Sequence, residues 1–178
     1  MYNIKNKQYF SRPRYDLLNL IPLEKRGGKL LEIGAGSGDT LIYAKENDYA
    51  KEVVGIELNK LENSNQNSNK IDKFIIGDIE KLNLKEIGNN FDIIICGDVL
   101  EHLVNPYEVV KKLKNILKSF GILIASIPNF CHYSVIYKIF FKKNFEYVNE
   151  GILDKIHLRF FCKKILLIYL KRMDLKWK

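Results

Sequence analysis

The chain has 178 residues, enough for one domain with a substantial core, and its 47% apolar and 28% charged composition is ordinary for a soluble globular protein. No apolar run approaches the roughly 20 residues of a membrane span, and residues 1–8 are too polar to act as a signal peptide. The net charge of +8 is uneven: residues 1–110 carry 14 Lys and Arg against 17 Asp and Glu, and residues 111–178 carry 15 against 4. An acidic half suits a cationic ligand; a basic half suits an anionic acceptor, a nucleic acid or a membrane surface, or is simply a solvated lysine-rich face.

The aromatic and basic run Tyr9-Phe10-Ser11-Arg12-Pro13-Arg14-Tyr15 leads into an apolar-periodic stretch through Leu17, Leu18 and Ile21, a short helix that Pro22 ends. Gly27-Gly28 mark the turn into a first strand, Leu30-Leu31-Glu32-Ile33. Gly34, Gly36 and Gly38 follow at once, and residues 40–47 have helical character. A strand that ends in glycines and turns into a helix is a ligand-binding corner: glycine lets a ligand approach the main chain, and the helix start offers N–H groups. The third glycine comes one residue too early for the Gly-x-Gly-x-x-Gly of dinucleotide folds, so a nicotinamide dehydrogenase fits poorly. Glu32, two residues before the first glycine, is unhelpful beside a pyrophosphate and useful beside a cation.

Residues 52–57 read as a second strand rich in β-branched residues. Glu57 ends it about 20 residues past the glycines, the spacing at which an acidic side chain meets a ribose, whose two vicinal hydroxyls one carboxylate can accept from. The Asn- and Ser-rich segment 59–70 predicts a short or ragged helix. A third strand over 74–80 carries Asp78 near its end, and a fourth over 91–98 is apolar almost throughout, as a central parallel strand should be. Pro106 opens a helix with Val109, Val110, Leu113, Ile116 and Leu117 on one face, and Gly121 turns it into a fifth strand over 122–127. The alternation predicts one doubly wound α/β domain over 1–178, with a parallel sheet and its ligand residues at the carboxyl edge. Three widely spaced cysteines, Cys96, Cys131 and Cys162, predict neither a disulfide framework nor a zinc site. No metal is expected, and a reducing cytoplasm is the simplest setting.

The run Glu32-x-Gly34-x-Gly36-x-Gly38 resembles the Glu/Asp-x-Gly-x-Gly-x-Gly motif of class I S-adenosylmethionine-dependent methyltransferases. Asp98-Val99-Leu100-Glu101-His102-Leu103, followed by Asn105-Pro106, resembles the fourth motif of the subgroup that includes ubiquinone-biosynthesis O-methyltransferases. Pro128-Asn129, His132, Tyr133 and then Gly151-Ile152-Leu153-Asp154-x-x-His157-Leu158-Arg159-Phe160-Phe161 resemble a subgroup found with cell-surface polysaccharide and glycosyltransferase systems. The resemblance runs from about Tyr9 to Lys164. It implies a Rossmann-like methyltransferase fold and S-adenosylmethionine as cofactor. Cofactor contacts are implied for Glu32, Gly34, Gly36, Gly38, Glu57, Leu58, Asp78, Ile79 and Asp98, with Glu57 on the ribose, Asp78 on the adenine amino group and Ile79 against the ring.

His102, His157 and Arg159 are the candidates for catalysis, since imidazole titrates near neutrality and arginine holds phosphate or carboxylate bidentately. Tyr147 and Asp154 join them as candidates to face the acceptor. Each has a plainer reading: His102 only packs at a helix start, and Asp154 caps a helix whose His157 and Arg159 tie loops down. The implied reaction is O-methylation of a sugar, glycan precursor or similar small molecule carrying negative charge. A nitrogen or phenol acceptor competes with it, as does a catalytically silent cofactor-binding partner in a biosynthetic assembly. Nucleic acid is not expected, for no separate RNA-binding module is present. Domains of this kind close with an antiparallel hairpin, but after a helix over 163–172 only residues 173–178 remain. The hairpin is expected to be missing, in a shortened protein or a truncated piece. The open fifth-strand edge and the apolar run 165–170 then predict a homodimer or hetero-complex through that end.

Overall fold

Strand β1 (Gly28–Ile33) has a parallel neighbour on each side, and Leu30, Leu31 and Ile33 are buried on both of its faces. The computed structural model describes residues 12–163. The other strands are β2 (Ala50–Glu57), β3 (Lys73–Ile76), β4 (Phe91–Gly97) and β5 (Leu117–Ser126), in the sheet order β3-β2-β1-β4-β5. Register is fixed by buried apolar pairs, with Leu31 opposite Val54 of β2 and Ile94 of β4. Parallel neighbours need crossovers. These are α2 (Asp39–Glu46), a 3-10 turn at Asn65–Asn67, α3 (Leu84–Ile87) and α4 (Pro106–Ile116); α1 (Tyr15–Leu18) precedes β1. Winding reverses at β1, with β2 and β3 to one side and β4 and β5 to the other, which makes the doubly wound sheet that the alternation predicts.

The weak segment 59–70 holds only the single 3-10 turn, as its composition predicts. Helix α3 is an element the pattern does not announce: four residues held by a capping box, in which Asn83 accepts from Lys85 N–H at 3.0 Å and Glu86 accepts from Asn83 N–H at 3.3 Å. Strand β5 begins at Leu117, earlier than expected, and contains Phe120 at φ 65° with its ring 89% exposed. Among the described residues β5 is a sheet edge. At Gly55 a Cβ would stand 2.7 Å from both Leu41 and Phe74, so glycine there lets these side chains close over β2.

The chain divides into two compact units. One runs to Gly97 and includes Lys112–Ala125; the other is Asp98–Lys111 with the chain from Ser126 on. The core of the first gathers Leu17, Leu18, Leu30, Leu41, Val53 and Ile93, all at 3% exposure or less. The second contains α5 (Tyr133–Phe140), two isolated bridges (Asn129 with Phe161, Val148 with Asp154) and a ring cluster in which Phe130 lies 4.8 Å from Phe160 and 6.3 Å from Phe145.

The expectation of no disulfide is corrected here: Cys131 and Cys162 are bonded, with Cα atoms 5.7 Å apart. Spacing along the chain did not reveal this, because the bridge between Asn129 and Phe161 and the 2.8 Å hydrogen bond from Phe130 N–H to Phe161 C=O bring two distant segments side by side. Cys96 remains a buried thiol in β4. The expected helix over 163–172 beyond its first residue, Lys163, the apolar run 165–170, residues 173–178 and the aromatic lead at 9–11 lie outside the described residues. No helix among the described residues is long and apolar enough to cross a membrane.

Candidate functional site

In the first unit the chain leaves β1 through Gly34, Gly36 and Gly38 at φ 70°, 52° and 88°, a left-handed run that side-chain-bearing residues resist. The N–H groups of Gly34 and Ala35 reach back to Ile56 C=O at 2.9 and 3.0 Å, so the corner is anchored to β2. A Cβ at Gly38 would meet Ile71 at 2.8 Å, which adds a packing reason to the conformational one. Helix α2 starts at the next residue.

Two carboxylates face this corner with different chemistry. Glu57, at the end of β2, accepts from Gly36 N–H at 2.9 Å through Oε2 and from Leu58 N–H at 2.8 Å through Oε1. Its carboxylate is thereby fixed by main-chain donors, with lone pairs remaining for a hydroxyl pair. Leu58 itself is exposed. Glu32 is 4% exposed, and its Oε2 is buried without a hydrogen-bond partner among the described residues. Burial pushes its carboxyl up to about 8, against a hydrogen bond from Thr40 and the nearby charge of Arg14, which pull it down. A buried acid with an orphaned oxygen is built to be completed by a cation or donor.

Asp78 follows β3 in a tight turn. Its Oδ1 accepts from Glu80 N–H at 3.0 Å, Lys81 approaches its other oxygen at 3.1 Å, and Ile79 is buried beside it. Two residues that the sequence did not single out hold this region. Gln66, 5% exposed, donates to the carbonyls of Gly36 and Asn59 at 2.8 and 3.2 Å and accepts from Leu61 N–H at 2.9 Å. Lys112 on α4 donates to the carbonyls of Ile79, Glu80 and Leu82 at 3.0, 3.2 and 2.9 Å. Replacing Lys112 by Met leaves three carbonyls without their charged donor, and urea denaturation is expected to record a loss of about 2 kcal/mol.

Asp98 directly follows β4 and belongs to the second unit. It has φ 52°, its N–H donates to Ser126 O and Oγ at 3.1 and 3.0 Å, and its Oδ1 accepts from Ser126 Oγ at 2.8 Å. The same unit brings His102 and His157 together, ring centroids 4.9 Å apart, edge to face. His102 Nδ1 lies 3.2 Å from Ile156 C=O and His157 Nδ1 lies 3.1 Å from Ile152 C=O. A carbonyl only accepts, so each Nδ1 carries the hydrogen and Nε2 is the basic nitrogen of the neutral ring. The main chain explains the meeting: Leu158 and Arg159 N–H groups donate to Glu101 C=O at 2.8 and 3.0 Å. Arg159 gives Nε and Nη2 to Val104 C=O at 3.1 and 2.6 Å and Nη1 to Leu158 C=O at 3.0 Å, with donors left over. Asp154 is buried and turns the chain ahead of His157, while Tyr147 is half exposed. A Glu101 carboxylate oxygen and one nitrogen from each histidine lie within 4.8 Å of one another, a grouping that could hold a divalent ion and that spacing does not predict.

A family of proteins described as "Methyltransferase domain" matches residues 24–165. The chain belongs to that family. It is a class I S-adenosylmethionine-dependent methyltransferase domain, and S-adenosylmethionine is the cofactor of that class. The ubiquinone biosynthesis O-methyltransferase of Glaesserella parasuis serovar 5 (strain SH0165) is 30% identical over 111 residues, which are 58% of this chain and 46% of that protein. The chain thus spans about half the length of the curated relative it matches. The YcgJ protein of Bacillus subtilis superposes with a TM-score of 0.68 at 21% identity, covering 93% of this chain and 70% of that one. An S-adenosylmethionine-dependent methyltransferase of Archaeoglobus fulgidus gives 0.65 at 19% identity, over 94% and 68%. A methyltransferase of Haloferax volcanii, in complex with the Trm112 methyltransferase activator, gives 0.63 at 13% identity, over 89% and 65%. At these identities the likeness to solved structures is one of fold. The glycine corner has a chemistry that fits such a cofactor: a buried carboxylate oxygen without a hydrogen-bond partner would suit a cationic ligand, and a carboxylate fixed by main-chain donors would suit a ribose.

Proposed function

We propose that this domain methylates a hydroxyl of a sugar, glycan precursor or similar small acceptor, with His102 and His157 as the candidates to take the hydroxyl proton. The observation that carries the reading is the facing pair His102 and His157, each held at Nδ1 by a main-chain carbonyl, which orients Nε2 of the neutral His157 ring as an acceptor. Glu32, Glu57, Asp78 and the glycine corner would hold the cofactor, with Leu58 and Ile79 beside them. S-adenosylmethionine, when bound, supplies an electrophilic methyl carbon on a sulfonium leaving group. The chain's part is to align the acceptor oxygen with that carbon and to receive the O–H proton at Nε2 as the new O–C bond forms and the S–C bond breaks.

The name of the Glaesserella relative supports oxygen over nitrogen as the acceptor atom. The +11 balance after residue 110, from 15 basic against 4 acidic residues, and the spare donors of Arg159 support an anionic acceptor. Partnership belongs to the same reading: β5 is an open edge among the described residues, and the Haloferax neighbour is held by an activator protein. A cytoplasmic setting is also part of it, although the Cys131–Cys162 bridge is unusual for a reducing compartment. A divalent ion at Glu101, His102 and His157 is a second reading, favoured by ligand atoms within 4.8 Å of one another; it would acidify the acceptor hydroxyl, whose proton would then pass to water.

Methyl transfer to a panel of extracted glycans, sugar nucleotides and phenols, read by mass spectrometry, tests both. His157→Ala is expected to lower kcat about 100-fold or more while cofactor affinity holds. Activity lost on chelation and restored by a divalent ion favours the metal. Cofactor binding with no transfer to any acceptor favours a silent partner.

A further inference from the structure

Helix α5 has apolar residues on two faces. Val135 is buried and Ile139 partly so, and they lie on one face. Tyr133, Ile136, Tyr137, Phe140 and Phe141 form a second stripe at i, i+3, i+4, i+7 and i+8, and they are 79%, 46%, 52%, 76% and 71% exposed. Single exposed apolar residues are ordinary, but a continuous aromatic stripe marks a surface that binds something. The rings touch along it, with centroids 5.5 Å apart for Tyr137 and Phe141 and 5.6 Å for Phe140 and Phe141. Lys138, Lys142 and Lys143 lie in and beside the stripe, and Lys142 Nζ stands 5.7 Å over the Tyr137 ring. No acidic residue occurs between Pro128 and Phe145.

Charge decides among occupants. A second copy docked face to face would set this lysine cluster against itself, because a two-fold interface apposes the same patch. An anionic surface matches it. Exposed aromatics, two of them with hydroxyl tips, flanked by long basic side chains on a helix of eight residues are what a helix lying in a bilayer interface presents. We propose that the exposed face of α5, continued through Phe141, Lys142 and Lys143, docks this domain on an anionic lipid surface. Neither the methyl acceptor nor the cofactor enters this assignment.

Sedimentation of the full chain with phosphatidylcholine vesicles, with and without phosphatidylglycerol, tests it. Binding is expected at least tenfold tighter with phosphatidylglycerol and should weaken as salt rises. Phe140→Ser with Phe141→Ser is expected to reduce it tenfold or more at an unchanged unfolding midpoint, and Lys142→Gln with Lys143→Gln to remove the preference for phosphatidylglycerol. Absence of binding, equal binding to both vesicles, or binding indifferent to the lysine pair overturns the proposal. So does light scattering that finds a dimer broken by the phenylalanine pair.

Discussion

Glu57→Ala is expected to weaken binding of S-adenosylmethionine and its demethylated product by at least tenfold in calorimetry. The carboxylate does two things at once. It holds Gly36 N–H and Leu58 N–H at 2.9 and 2.8 Å, and it keeps lone pairs for hydroxyls. In the proposed site alanine would leave the ribose hydroxyls without a charged acceptor, a loss of roughly 1.5–3 kcal/mol, or about 10- to 150-fold. It also releases the main chain of the glycine corner, so Glu57→Gln, which keeps one acceptor oxygen, should fall between wild type and alanine. Unchanged affinity in a folded Glu57→Ala protein would remove this residue from the cofactor site.

Glu32 gives the second large effect, and it is one of pH. In the folded protein its carboxyl is pushed up from 4.5 to about 8 by burial. Across that interval the folded state keeps a proton that the unfolded state has lost, so this group's stabilisation is complete below 4.5 and is lost as pH rises through 8. The unfolding midpoint of the cofactor-free protein should therefore fall as pH climbs through this window, and Glu32→Gln should flatten the slope. A cationic ligand reverses the preference: it favours the carboxylate, so binding expels a proton and affinity rises toward pH 8. Calorimetry in buffers of different ionisation enthalpy reads the released proton directly. No release, or the same release in Glu32→Gln, would show that Glu32 does not face the cation.

The sheet and the glycine corner were legible because they rest on short-range rules. Leu30 to Ile33 is an apolar run closed by glycines, and Glu57 ends an apolar strand as Glu32 interrupts one; burial then follows from the pattern itself. The start of β5 was not legible, since Leu117 continues the apolar face of α4 as readily as it begins a strand. Helix α3 is too short to show a period, and only its Asn83 and Glu86 caps mark it. Gln66 and Lys112 were missed for another reason. Their work is to satisfy carbonyls of segments remote in sequence, and nothing local distinguishes Gln66 in its Asn-rich stretch or Lys112 from its neighbour Lys111. The pairing of Cys131 with Cys162 and of His102 with His157 likewise depends on where the chain returns.

The strand order carries a consequence for synthesis. Strand β1 is made first and ends in the middle of the sheet, with β2 on one side and β4 on the other. As the chain leaves the ribosome, β2 and then β3 can add to one flank once Ile76 has emerged. The other flank of β1, facing where Ile93 to Cys96 will pair, stays open until Gly97 has cleared the exit, more than twenty residues later at 5–20 residues per second. If β1 to β3 pair before β4 is made, the nascent ribbon would present an unpaired edge for about one to four seconds, an interval in which pairing with a neighbouring chain would compete with completion.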